Sequence, residues 1–363
     1  MSTPVETVVP APALLVRSEV EHRLRVFLAE RAAGRDGEPA LPEELWPVLT
    51  GYALRGGKRL RSLLCVTGWH AAGRRKLPDF VLRTAASLEL FHACALLIDD
   101  VMDDSEVRRG LPTAHRVLAQ SSGGGGRDGR SGDRLGVNAA ILLGNLAFSW
   151  SDELFRSADM TPGQQRRGYE ELDAMRTATV YGQYQDLLAA HRGSFRAEEA
   201  LFIAHYKTAR YTVEAPLRLG AVLADADEAL LHSLSEFAVP LGIAFQLRDD
   251  LLGVFGDPGQ TGKSHSDDLR DGKCTLLAAL AVSIGDAEQA ASLRELLGSG
   301  SIEAAGQAEA RRLLEETGAR AAVEARIGAL RDEALSALDA APIPREVADS
   351  LRDIAGSAIA RAA

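Results

Sequence analysis

Cysteines, uninterrupted apolar runs, strand-period segments and any positive charge excess are scarce or missing in this chain of 363 residues. The three cysteines, Cys65, Cys94 and Cys274, are far apart and form no CxxC pattern. That excludes a disulfide framework and suits a reducing cytoplasm. The formal net charge of −10 gives nucleic-acid binding no general electrostatic support, so no nucleic-acid partner is expected. An anionic substrate would have to be recruited by local cations or by metal. The apolar runs read as too short or too interrupted to cross a bilayer. No basic stretch leads into an apolar one at the N-terminus, so neither a signal peptide nor stable membrane insertion is expected.

What is present is ordinary for a globular protein: 46% hydrophobic and 25% charged residues, enough for a sizeable core. Residues 1–13 are expected to be a flexible tail, with 14–363 forming one domain. Apolar residues recur at helical spacing from Leu14 to Arg31, and Leu45 to Leu54 reads as a second helix. Phe80 to Ile98 is apolar on most sides and predicts a helix buried at the centre of the fold. Further helices are expected over 137–154, 170–190, 202–223 (kinked at Pro216), 231–254 and 288–363. Residues 120–133, QSSGGGGRDGRSGD, predict a mobile loop within the domain. No strand or short repeat is evident. The expected architecture is therefore all-α: a single large helical bundle around a central apolar cavity.

The chemistry gathers after the buried helix. Leu96-Leu97-Ile98 runs into Asp99-Asp100-Val101-Met102-Asp103-Asp104-Ser105-Glu106-Val107-Arg108-Arg109-Gly110. Asp99 and Asp103 are four apart, so on a helix they share a face. Like charges packed this way need a counter-charge, and oxygen-rich clusters of this kind suit Mg²⁺, which takes one or two carboxylates and leaves room for substrate phosphates. A solvated acidic helix end would carry a lone cluster just as well. A second cluster, Phe245-Gln246-Leu247-Arg248-Asp249-Asp250, tips the balance. Gly56-Gly57-Lys58-Arg59-Leu60-Arg61 places two glycines before three cations, which suits an anion at a helix start. His92 lies two turns before Asp99 on the same face. Two acid clusters facing each other across a bundle, with cations at hand and an apolar space beneath, suit ionisation of a diphosphate carried on a hydrocarbon.

From about Leu54 to about Leu280 the chain resembles the trans-isoprenyl diphosphate synthases, the polyprenyl synthetase family. The resemblance rests on GGKRLR at 56–61, DDVMDDSEVRRG at 99–110, GQYQDL at 182–187, KT at 207–208, FQLRDD at 245–250 and GDPGQTGK at 256–263, in that order. It implies Mg²⁺ as cofactor, isopentenyl diphosphate and an allylic prenyl diphosphate as substrates, and a homodimer. It also implies roles. Asp99, Asp100, Asp103, Asp249 and Asp250 would bind Mg²⁺. Arg108, Lys207 and Lys263 would contact the allylic diphosphate, with Lys273 delivered by the same loop. Lys58, Arg61, His92 and Arg109 match the isopentenyl diphosphate site, and Gln183, Asp186, Thr208 and Gln246 match further active-site positions.

Two residues depart from the family pattern: Gly253, where a third aspartate is frequent, and Asn145, where aspartate is common. Small Cys94 and Ala95, one turn before Asp99, imply a product longer than farnesyl. Phe91, a further turn down, is the expected floor for a geranylgeranyl chain. A class I terpene cyclase would share the fold, but it has no use for the GGKRLR site. A non-catalytic subunit that binds prenyl diphosphates is the other alternative.

Overall fold

The computed structural model describes residues 10–34, 37, 39–121, 129–256, 269, 272–297 and 303–359. Helix α1 (Ala13–Ala32) buries Val16, Val20, Leu24, Phe27 and Leu28, which is the helical stripe expected from the sequence. α2 (Leu45–Leu54) and α3 (Leu60–Ala71) follow. α4 (Asp79–Met102) has no internal glycine or proline and is buried over most of its length.

After α4 the chain makes a small hairpin that the sequence did not predict. Strands β1 (Val107–Arg108) and β2 (Leu111–Pro112) pair antiparallel around Arg109 and Gly110. Both loop residues have positive φ, 54° and 74°, as a two-residue turn of matching twist requires. Two-residue strands are too short to show a period.

α5 (Ala114–Ser121) and α6 (Gly129–Arg156) close in on the Gly-rich segment from both sides. The loop expected over 120–133 is therefore shorter at both ends, and 122–128 lie outside the described residues. α7 (Pro162–His191) starts with a capping box between Thr161 and Gln164. The expected single kinked helix over 202–223 is instead three pieces: α8 (Ala197–Ile203), a π-helix (Ala204–Glu214) and α9 (Ala215–Leu223). Pro216 falls in the first turn of α9, directly after the π-helix, whose last bond runs from Ala215 N to Arg210 O. The π register, over Ala204–Glu214, ends just before that proline.

α10 (Glu228–Phe255) is capped by Asp227, whose carboxylate accepts from Leu230 N at 2.9 Å. The remaining helices are α11 (Leu276–Ile284), α12 (Ala287–Leu296), α13 (Ala304–Glu316), α14 (Ala319–Ala340) and α15 (Arg345–Ile359).

Two apolar cores result. One joins α1 to α7 with part of α9, through residues such as Leu28, Leu90, Leu97, Leu143, Phe155 and Leu219. The other joins α8 to α15, through Phe237, Leu247, Leu277, Ile327 and Leu351. Where α3 crosses α9 the backbones touch: a Cβ on Gly68 would stand 1.9 Å from Leu217 O, and one on Gly220 1.8 Å from Cys65 O. Only glycine fits at either point. By length and composition α4 and α10 could each cross a membrane, contrary to the sequence reading, but 67% and 50% of their apolar windows are buried inside the protein. These are core helices.

Candidate active site

A cavity of about 750 Å³ opens between the two cores, walled by α3, α4, α7, the π-helix and α10. Asp99 reaches it from the end of α4, and Asp249, Asp250 and Gly253 from α10. The two acidic motifs thus face one space. The cations expected around them are already engaged with the acids. Lys207 Nζ lies 2.7 Å from Asp186 and 3.3 Å from Asp99. Lys273 Nζ donates to Asp103 at 2.7 Å.

This pairing separates the carboxylates chemically. Burial pushes Asp99 up, but Lys207, Lys273 and Arg108 outweigh it and hold Asp99 well below the usual carboxylate range. Asp103 is pushed above its ordinary value by burial and by the charge on Asp99, despite Lys273. Burial would lower Lys207, yet Asp99 and Asp186 raise it, so it stays charged.

Lys207 is placed by a glycine. A Cβ on Gly182 would come 2.3 Å from Lys207 N, so only glycine lets α7 lie against the π-helix here. One turn on, Asp186 meets the lysine. Gln183, on the same wall, contacts Met102 Sδ. On the opposite side Thr208 donates to Gln246 Oε1, and Gln246 Nε2 donates to Asp250 Oδ1 at 2.6 Å, which orients the second acidic motif.

Asp100 does not join its neighbours. It is 0% exposed and points away from the cavity wall. Arg108 Nε donates to its Oδ1 at 2.8 Å and Tyr52 OH to its Oδ2 at 2.5 Å. Asp100, expected to face the cavity with Asp99, is placed elsewhere: consecutive helical residues point about 100° apart, so it does not share the face of Asp99. Its carboxylate instead sets the Arg108 guanidinium, which also reaches Asp99 at 3.4 Å. Tyr52 had no sequence signal, because nothing local marks a tyrosine that pairs with an acid 48 residues on.

A second cation group lines the same cavity: Lys58, Arg61, His92 and Arg109. Arg61 donates to Thr212 Oγ1 at 2.7 Å and lies 4.2 Å over the ring of Tyr211. Tyr211 OH pairs with His92 Nδ1 at 2.7 Å. Burial, with Arg61, Arg109 and Arg108 nearby, holds His92 well below its ordinary value, so it is neutral at pH 7. Lys58 Nζ donates to Ser357 O, in the last turn of α15, at 2.6 Å. Tyr211 and Thr212 were missed from sequence, although each lies four residues after a predicted neighbour, Lys207 and Thr208. Lys263 lies outside the described residues.

The polyprenyl synthetase family matches residues 43–315 of this chain. The chain belongs to the polyprenyl synthetase family. Among similar proteins, a geranylfarnesyl diphosphate synthase of Aeropyrum pernix is 36% identical over 227 residues, 62% of this chain and 67% of that one. A short chain isoprenyl diphosphate synthase of Methanocaldococcus jannaschii is 32% identical over 251 residues, 68% of this chain and 69% of that one. Among solved structures, a geranylgeranyl pyrophosphate synthase from Corynebacterium glutamicum complexed with isoprenyl diphosphate and magnesium superposes with a TM-score of 0.90 at 35% identity, over 97% of this chain and 100% of that one. As a polyprenyl synthetase, the chain is a trans-prenyltransferase.

The chain-length residues and the two departures from the family pattern are placed differently around the cavity. Phe91 is not on the cavity wall. It packs edge-on to Phe148 of α6 and to Tyr211, with ring centroids 6.1 and 5.6 Å away. Eight helical residues return about 80° away from the starting face, which turns Phe91 behind the wall. Cys94 is off the wall too, whereas Ala95 lines it. Asn145 is exposed on α6, away from the cavity lining, and donates to Ile141 O of its own helix at 3.2 Å. Gly253 does line the cavity, and the carboxylate it lacks would have stood there.

Proposed function

We propose that this polyprenyl synthetase condenses isopentenyl diphosphate with an allylic prenyl diphosphate to form geranylgeranyl diphosphate, with Mg²⁺ as cofactor. The observation that carries the reading is a single cavity with two differently charged ends. One end mixes acids and lysines; the other, at Lys58, Arg61 and Arg109, is cationic around a neutral histidine.

The donor set suits a metal shared with a ligand. Among the described residues no three ligand side chains converge to hold an ion alone, and Mg²⁺ usually keeps sites for phosphate oxygens. Asp99, Asp103, Asp249 and Asp250 would supply the protein ligands. When bound, Mg²⁺ neutralises the diphosphate and makes it a better leaving group. Lys207 and Lys273 then exchange their carboxylate partners for phosphate oxygens, and Arg108, held by Asp100, does the same from the hairpin. The allylic C–O bond breaks, the isopentenyl double bond attacks the cation, and the released diphosphate takes the proton. No side-chain base is assigned.

Below Asp99 the wall is small at Ala95, about 6 Å or one turn down, so the chain can grow past the farnesyl length. This supports a geranylgeranyl product, the product named for the similar Corynebacterium glutamicum structure. The exposed apolar residues Leu135, Ile141 and Leu142 on α6, with Val180, Tyr181 and Tyr184 on α7, suit burial in a homodimer. The three free cysteines suit the cytoplasm.

The test is incubation with Mg²⁺, isopentenyl diphosphate and, in turn, dimethylallyl, geranyl and farnesyl diphosphate, followed by dephosphorylation and chromatography. Geranylgeraniol is the expected product. A longer alcohol would overturn the length assignment alone, and no product from folded protein would overturn the synthase reading.

A further inference from the structure

Arg59 sits between Lys58 and Arg61 in sequence and lines the same cavity as they do, as does Glu89, but its guanidinium is taken up by partners within the protein. Its side chain is buried. Nη1 donates to Ala53 O at 2.8 Å and to Glu89 Oε2 at 3.0 Å, and Nη2 donates to Leu54 O at 3.0 Å. Glu21 Oε1 of α1 lies 3.5 Å from Nη2. Glu89, buried on α4, accepts from Ser62 Oγ of α3 at 2.8 Å through its other oxygen. One guanidinium thus ties the end of α2 to α1 and α4, and the carboxylate opposite ties in α3.

The backbone at Arg59 is left-handed, with φ of 51°. A side chain with a Cβ adopts this only where its surroundings over-determine it. The residue also opens α3, since Leu63 N donates to Arg59 O at 2.9 Å. Its conformation therefore fixes the angle between Lys58, just outside the helix, and Arg61, in its first turn. Glu89 lies three residues before His92, so the same contact registers His92 against both cations. A buried ion pair is a poor source of stability compared with apolar packing of the same volume. Its planar fork, however, holds three acceptors in one geometry, which a lysine cannot do. Glu89 also pairs with Arg59 at 3.0 Å, which offsets its charge and leaves Lys58, Arg61 and Arg109 as the cations of the cavity end that Glu89 does not contact.

We infer that Arg59 and Glu89 are a positioning pair: they preset the turn at 56–61 so that Lys58, Arg61 and His92 converge on one diphosphate before it binds. This rests on the reading of that cluster as the isopentenyl diphosphate pocket. Prior ordering spares the ligand the cost of arranging the turn itself, so the loss of either partner weakens this pocket and leaves the metal-facing end alone.

The test uses the full chain and two variants that keep the charge of the pair: Arg59→Lys, and Arg59→Gln combined with Glu89→Gln. Calorimetry measures isopentenyl diphosphate binding without Mg²⁺ or allylic primer, and separately inorganic pyrophosphate binding with Mg²⁺. The isopentenyl diphosphate dissociation constant is expected to rise about tenfold or more in both variants, as displacement of binding groups does, while pyrophosphate affinity stays within about twofold. If the double variant does not fold, Arg59→Lys decides alone. Folded variants that bind isopentenyl diphosphate like the wild type overturn the pair's role. Equal weakening of both ligands does so as well, because that is what general loosening of the fold produces. Wild-type protein that fails to bind isopentenyl diphosphate overturns the pocket assignment itself, a distinct result.

Discussion

Replacing Lys207 with methionine tests the electrostatic design of the site without substrate. The ammonium lies between Asp186 and Asp99, at 2.7 and 3.3 Å, and the three side chains are 22%, 11% and 21% exposed. Breaking a buried pair by removing one partner costs about 3–5 kcal/mol. Some contact with solvent puts this site at the lower end, about 3 kcal/mol. At about 2.1 cal/mol/K per residue, the 363 residues give an unfolding entropy of about 0.76 kcal/mol/K. The melting temperature of Lys207→Met should therefore fall by about 4 °C.

Mg²⁺ should then reverse the loss. In the wild type the ion competes with Lys207 for Asp99. In the variant Asp186 loses the lysine and Asp99 keeps only Arg108 and the more distant charge of Lys273, so the ion meets less competition, and binding to the folded state alone raises stability. Differential scanning calorimetry of both proteins, with and without Mg²⁺, should show the larger Mg²⁺-induced rise in the variant. Turnover should nevertheless drop by about a hundredfold or more, since the metal cannot replace a cation that contacts the leaving group. A variant that melts within about 1 °C of the wild type, or that gains no more from Mg²⁺ than the wild type does, would refute the assignment of Lys207 as the counter-charge.

Ala95→Phe should place a ring across the cavity about 6 Å below Asp99 and shift the product from geranylgeranyl towards farnesyl or shorter, read by chromatography of the dephosphorylated alcohols; an unchanged product would mean that the chain does not pass Ala95. Stability should also decline as pH falls from 7 towards 5. His92 is depressed well below its ordinary value by burial and by Arg61, Arg109 and Arg108, so below the unfolded value of about 6.5 the unfolded chain takes up a proton that the native state refuses. His92→Gln should flatten that slope in thermal melts at stepped pH, and an identical slope would remove His92 as a source.

The helices could be read from sequence because their apolar spacing is local: α2 is found over Leu45–Leu54 as expected, and α4 extends the expected core helix by a turn at its end. The motifs were legible for the same reason, since acids and cations four residues apart on a helix declare a face. Facing is where the sequence stopped. Whether Asp99 or Asp100 meets the cavity is a matter of about 100° of helix rotation, and only packing of α4 against α2 and the hairpin decided that Asp100 goes inward to Tyr52 and Arg108. A rotation of about 80° over eight residues likewise put Phe91 behind the wall. The π-helix and the two-residue hairpin carry no periodic signature, and partners such as Tyr52 and Asp100, or Arg59 and Glu89, are separated by stretches of chain that only the folded bundle brings together. The sequence by itself thus determined which groups are available and which helices carry them. The tertiary structure decided which of them share a space, because a side chain's chemistry is local but its partner is whatever the packing of distant helices leaves beside it.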